Sequence, residues 1–214
     1  MKPIIFARIA DMKYYKGIYD DDKPHNGGSW VNENGEAHEC HNFDIYDFDD
    51  GSSYCLGYVQ LIGGAKDIEQ QIHIEKIYDC KSCKKDNIVD DVIVVFVSTN
   101  STNMRVVGFY RNASVLRYSD RCISNEGLSN EFEQYYYFYA KSEDCVLIPF
   151  EDRFKTSDWY VPMSGKNGKT FGFGHSNIWF AGSNTDNPKE IEYVENMINR
   201  IENYKGENWL YKFE

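Results

Sequence analysis

The sequence predicts an α+β fold that is mostly β, a closed or nearly closed barrel with one amphipathic helix at its C-terminal end. Three observations predict it. Val92-Ile93-Val94-Val95-Phe96-Val97 and Met104-Arg105-Val106-Val107-Gly108-Phe109-Tyr110 are two β-branched runs joined by a polar turn at 98–103. Six or seven short strand-like segments recur without a helical period, each bounded by turn residues. A helical stripe emerges only after Asn187.

In chain order, residues 4–9 read as a first strand. Residues 12–18 set two tyrosines between Lys13 and Lys16, and 19–28 form an acidic loop rich in turn formers, a candidate functional loop. A short strand at 29–31, a hairpin turn at 32–35 and an extended stretch at 37–43 follow. After an acidic connection at 44–53, strands are expected at 54–60 and 72–77. The central pair comes next. Its first run is apolar without interruption, so it should be buried on both faces. Its second run carries Tyr110-Arg111-Asn112 outward to a rim. Residues 118–130 read as polar and irregular, 135–140 as an intensely aromatic strand, and 145–149 as a short one. The excursion 151–174 ends in Phe171-Gly172-Phe173-Gly174, whose glycines let the backbone pass close to something bulky. The helix has Asn187 as its cap, Pro188 at its first position and Glu190 completing a capping box. Ile191, Val194, Ile198, Ile201 and Tyr204 line one side, and Gly206 stands where a C-terminal cap belongs.

A chain of 214 residues and 25.0 kDa suits a single domain, with the barrel core at about 1–150 and a loop-plus-helix part at 151–214. A hydrophobic content of 42% excludes wholesale disorder. The net charge of −11 repels a phosphate backbone at long range, so nucleic-acid binding requires a local basic patch or the reading of one base. The N-terminal apolar run is too short for a signal peptide and no segment reaches bilayer length, which leads to the expectation of a cytoplasmic protein without membrane partners. The six cysteines are then expected as free thiols.

Cys80-Lys81-Ser82-Cys83 has the spacing of a zinc knuckle but no second pair, so Cys80 and Cys83 are weak metal candidates and no cofactor is implied. No Walker loop, nucleophile elbow or paired His-Asn-His set is present, and the reading leans away from an enzyme. What stands out is an aromatic and amide set: Trp30, Asn42-Phe43, Gln60, Tyr110 with Asn112, Trp159, and Asn177 with Trp179. Amides read base edges and aromatic rings sandwich an extruded base.

Several segments together resemble a known kind of domain. They are Met12-Lys13-Tyr14-Tyr15-Lys16-Gly17 followed by Asp21-Asp22-Lys23-Pro24, Gly27-Gly28-Ser29, His38-Glu39 with Asn42-Phe43, Gly57-Tyr58-Val59-Gln60, Val106–Ala113 and Ser176-Asn177-Ile178-Trp179-Phe180. In this order they resemble an uncharacterised bacterial domain found at the N-terminal part of HNH-endonuclease-type restriction proteins, similar in layout to the EVE, YTH and ASCH branches of the PUA superfamily. The resemblance implies a small PUA-like β-barrel with flanking helices whose pocket accepts a modified base flipped from DNA, or less readily RNA, with a separate nuclease or other effector as partner. It implies Ser29, Trp30, Asn42, Tyr110, Asn112, Asn177 and Trp179 as pocket and rim residues. Lys13, Lys16, Lys166 and Lys169 would meet the backbone. Two departures stand beside it, the missing nuclease domain and the acidic charge. An acidic protein-interaction domain with a tyrosine-rich surface is the alternative, and a nucleotide-acting enzyme comes third.

Overall fold

The computed structural model describes residues 1–19, 21–25, 38–62, 70–100, 103–124, 132–166, 168–183 and 186–212. Ser29 and Trp30, with the short strand and hairpin turn expected around them, lie outside the described residues. The strands are β1 (Ile4–Arg8), β2 (Ile45–Asp47), β3 (Ser53–Gly57), β4 (Ile88–Asn100), β5 (Asn103–Ser124), β6 (Phe132–Lys141), β7 (Cys145–Leu147), β8 (Tyr160–Val161) and β9 (Ile178–Trp179). Among the described residues two α-helices accompany them, the single turn α1 (Asp152–Lys155) and the longer α2 (Pro188–Glu202).

These nine strands form one open sheet, seven in the order β2-β3-β6-β5-β4-β1-β9 and β7 and β8 paired with β5, so the mostly β class is seen here as a single large sheet. The expected central pair lies at its middle. β4 pairs in parallel with β1 on one side and antiparallel with β5 on the other. Its continuous apolar run is divided between two cores, because side chains alternate across a strand. Val92, Val94 and Phe96 enter one core, while Ile93, Val95 and Val97 enter the other.

At 22 residues, β5 is too long for a single partner on its second flank. β8, β7 and β6 succeed one another there. Two non-glycine residues in the left-handed region accompany the bends of the central hairpin, Asp91 at φ 59° and Asn112 at φ 46°. Register shifts flank both positions. Asp and Asn are the side chains that tolerate such a backbone best, which accounts for a polar residue inside each apolar strand. Gly108, in the middle of β5, is obligatory for another reason. A Cβ there would collide with the Phe43 ring and the Val146 carbonyl where β7 crosses.

Several expectations are corrected. The extended stretch at 37–43 contains a 3-10 turn, His38–His41, and the strand expected at 72–77 is the 3-10 turn Ile74–Lys76. In place of ladder bonds both close turn bonds, the Asn42 amide on the Glu39 carbonyl at 3.3 Å and the Ile77 amide on the Ile74 carbonyl at 3.1 Å. The polar segment from 118 is not irregular: β5 runs on to Ser124, held by β6. The first core is covered by these turns and by Tyr15, Phe43 and Trp209; the second is covered by α2 and the 159–181 stretch.

Helix α2 forms as its sequence dictates. Asn187 caps it by accepting from the Glu190 amide, and Val194, Met197, Ile198 and Ile201 are buried. Ile191 is only half-buried, and Met197 takes its place in the stripe. Glu190 does not complete a box. Its carboxylate accepts from the Gly182 amide at 3.0 Å instead, pinning the β9–α2 link. The helix ends at Asn203, ahead of Gly206.

Candidate functional site

Two of the amides singled out from the sequence, Asn42 and Asn177, hold backbone. Asn42 is fully buried, donates to the Tyr58 carbonyl at 2.9 Å and accepts from the Tyr58 amide at 2.8 Å. Neighbouring Glu39, also buried, accepts from the Ala10 amide and the Gln60 amide, each at 2.9 Å. Asn177 donates to the Gln60 carbonyl at 2.8 Å and accepts from Arg8 Nε at 2.9 Å. Together they form a polar spine that ties the end of β1, the turn His38–His41, the segment after β3 and the start of β9. Burial pushes the Glu39 carboxyl up to about 7, the two backbone donors opposing that rise.

Tyr110 lies in the first core. Its ring meets Phe43 and Phe96 edge-on at 5.7 and 4.8 Å, and its hydroxyl donates to the Asn42 carbonyl. Asn112 is exposed on the bend of β5 and donates to Asp144 at 3.1 Å. Trp179 packs in the second core, 4.7 Å from Phe6 between ring centroids. The structure therefore joins Asn42 to Tyr110, and Asn177 to Trp179 through β9, but leaves Asn112 apart from both. Lys13 and Lys16 are half-buried on a loop whose backbone is held by Asp22 and by the fully buried Arg153. Lys166 is exposed on a turn closed by the Lys169 amide.

Open space gathers elsewhere, along the β9 edge. A cavity of about 600 Å³ lies between residues 75–82 and the start of the β9–α2 link, with Tyr78, Lys76 and Lys81 on one side and Phe180 and Ser183 on the other. The Lys76 ammonium stands 6.0 Å from the Phe180 ring centroid. A second cavity, of about 320 Å³, shares Phe180 and Ser183 and continues past Trp179 to Phe171. A third, of about 490 Å³, shares Thr170 and Phe171 and ends between Lys169, Lys189 and Tyr193. The shared walls make one groove that passes over the sheet edge, from Ile77 in the first core to α2 on the second.

Local structure explains both walls. Arg117, on β5 and only 7% exposed, donates to Glu75 at 2.8 Å and to the carbonyls of Cys83, Lys84 and Asp86 at 3.1, 3.1 and 2.8 Å. One guanidinium thus fixes the whole turn region that forms the first wall. Opposite, Gly172 adopts φ +112° beneath the Pro162 carbonyl, where a Cβ would collide. That close approach is what the Phe-Gly-Phe-Gly segment requires at its first glycine. Gly174 faces open space.

The acidic groups of the groove are largely committed. Glu75 is paired with Arg117, and the buried Glu190 receives the Gly182 amide and the Trp179 side chain, burial raising its carboxyl above the ordinary range. Asp79 and Glu192 complete the acidic lining. No ion pair among the described residues engages Lys81, Lys169 or Lys189.

Cys80 and Cys83 sit behind the first wall, and burial pushes the Cys80 thiol up to about 11. Among the described residues no three His, Cys, Asp or Glu side chains gather as a metal ion would need, and no helix is long and apolar enough to cross a membrane. Tyr78, Lys76, Lys81, Lys189 and Phe180 were not candidates from the sequence. The signal was present in the lysine cluster of 76–85 within an acidic chain, and Phe180 ends the segment that carried Asn177 and Trp179. Comparison with known protein families, with curated proteins and with solved structures finds no match.

Proposed function

We propose that this chain is a non-catalytic nucleic-acid reader that holds a single base, modified or extruded from its strand, in the cavity between Tyr78 and Phe180. The observation that carries the reading is the lining of that cavity: two aromatic rings and two lysines around about 600 Å³, on a protein whose overall charge is −11. Rings bind the flat faces of a base, and lysines meet the phosphate beside it. The volume falls within the range of small-ligand sites. Asn177 and Trp179 serve this site as the strand that presents Phe180, and Asn42 and Tyr110 serve it from within the spine and core.

In this proposal the sheet is the curled wall of a PUA-like small barrel, a reading supported by the bends at Asp91 and Asn112, since bulges are how sheets are curved toward closure. DNA is the preferred substrate, in a restriction or defence setting where a separate nuclease or other effector acts on what the reader marks.

The test is binding of the purified protein to short oligonucleotides, single- and double-stranded, carrying cytosine, 5-methylcytosine, 5-hydroxymethylcytosine or N6-methyladenine at one position. Modification-dependent affinity that persists at moderate salt, and falls at least tenfold with Phe180→Ala, is the expected result. Equal affinity for every base, or an unaltered Phe180→Ala variant, overturns the assignment.

A second reading has its own observation. Phe48, Tyr54, Tyr139 and Tyr136 form a ladder of rings across β2, β3 and β6, with successive centroids 5.6, 6.1 and 6.2 Å apart and none of the rings fully buried. Such a surface suits a protein partner. Failure of all the oligonucleotides, together with partner capture that is lost in a Tyr54→Ser, Tyr139→Ser variant, would favour it.

A further inference from the structure

The two cavities beyond Phe180 have no role in holding one base, yet they continue the same groove. We infer that they are the path of the neighbouring nucleotides of a single strand, which crosses the β9 edge from Lys81 at one end to Lys169 and Lys189 at the other. This inference rests on the base-reading proposal and extends it from one nucleotide to a strand.

The argument starts from the pattern of the lining. Aromatic side chains line each cavity: the half-buried Tyr78 and Phe180 in the first, the buried Trp179 and Phe171 in the second, and Phe171 with the half-buried Tyr193 in the third. Among the described residues lysines line only the two end cavities, and the middle one has none. A strand whose first base meets the half-buried Tyr78 and Phe180 rings and whose phosphates are met at the ends fits this order of a lysine-free middle between cationic termini. A duplex does not, because its bases are stacked on one another and present no free faces to the rings.

Charge complementarity supports the same occupant. Glu75 and Glu190 have their carboxylates engaged by Arg117 and by the Gly182 amide, so at each end two lysines, Lys76 with Lys81 and Lys169 with Lys189, outnumber the one acid left, Asp79 or Glu192. Lys169 and Lys189 are both exposed, so replacing them does not threaten the core.

The experiment uses the full chain and fluorescein-labelled deoxynucleotides of one, three, five and eleven residues, each with one of the four bases above at its centre and thymidine on both sides. Affinity should rise by about tenfold or more between one and five residues and then level off. The variant Lys169→Glu, Lys189→Glu should lose that rise while binding the mononucleotide as before. Its salt slope on the eleven-residue strand should flatten by about 1.4, the loss of two phosphate contacts on single-stranded nucleic acid. The neutral variant Lys169→Gln, Lys189→Gln should lie between the two. Affinity that does not depend on length, or a doubly reversed variant that keeps its rise, overturns the strand path and leaves the base reader standing. Tighter binding of an intact duplex than of the matching single strand also overturns it. Absence of binding at every length removes both proposals together.

Discussion

The polar spine and the groove are built from similar materials, amides, aromatic rings and charges, yet they use them in opposite ways. In the spine each hydrogen-bonding atom named above meets backbone or a neighbouring side chain: Asn42 closes both bonds with Tyr58, Glu39 accepts two amides, and Asn177 bridges Gln60 and Arg8. In the groove the Tyr78 and Phe180 rings are only half-buried and Lys81, Lys169 and Lys189 form no ion pair among the described residues. A buried amide left unmatched would be costly, so burial itself commits such a residue to structure. Residue type alone therefore does not distinguish a reader of ligand from a holder of chain; what distinguishes them is whether the hydrogen bonds are already closed.

The comparison is broken most severely at Arg117, which belongs to both regimes because a buried, fully bonded side chain builds a wall of the open groove. Arg117→Ala strands Glu75 and three carbonyls and should cost about 3–5 kcal/mol in urea unfolding, as removal of one member of a buried pair does. The groove should lose its ligand along with it. Retention of full stability would show that the turn 81–85 stands without its pin.

Next in size is Asn42→Ala. It opens two hydrogen bonds to the Tyr58 backbone and should cost about 2–3 kcal/mol. Oligonucleotide affinity, measured where the variant is still folded, should not change if Asn42 is a holder; a loss of affinity at full stability would move it to the reader's side.

How much of this was legible in the sequence follows from the same distinction. The runs at 92–97 and 104–110 and the capped helix could be read because their apolar periodicity reports burial directly. The turns at residues 38–41 and 74–76 could not, since runs this short hold too few periods to separate a strand from a tight turn. For the site, the segment ending in Asn177-Ile178-Trp179-Phe180 lies on the sheet edge that borders the cavities, whereas Tyr110 and Asn42 are buried with their hydrogen bonds closed inside the fold. Nothing local reveals that Tyr110 would meet Asn42 across 68 positions of sequence.

Protonation sharpens the comparison within the spine. Burial raises the Glu39 carboxyl to about 7 in the folded chain, above the ordinary carboxylate range of the unfolded one. Between those values only the folded chain holds the proton. Stability should therefore be highest below the unfolded value and fall as pH rises toward 7 and just beyond, by on the order of 2–3 kcal/mol from this group. Urea midpoints between pH 4.5 and 8 would follow the decline, and Glu39→Gln should flatten it. A profile unchanged by that substitution would assign the decline to other groups.

The smallest effect is expected at Asn112, the candidate whose backbone explains its identity. Asn112→Gly should lie within about 0.5–1 kcal/mol of the parent, because glycine accepts φ 46° without strain and only the exposed Asp144 bond is lost. Asn112→Val should cost about 1–2 kcal/mol, since a β-branched residue resists the left-handed region. Loss of oligonucleotide binding in the glycine variant, with stability intact, would return Asn112 to the ligand.

The division of β4 between two cores has a consequence for how the molecule opens. Neighbouring residues of that strand are sealed by elements far apart in sequence: Val94 and Phe96 beneath the Tyr15 and Phe43 side of the sheet, Val95 and Val97 beneath α2 and its approach. Neither cover can lift and leave the strand protected, so the amides of 92–97 should exchange with solvent only when the entire chain unfolds, all at one rate. Truncation before residue 151 should accordingly yield an aggregating fragment rather than a smaller working protein, because it bares one complete side of the strand that both cores share.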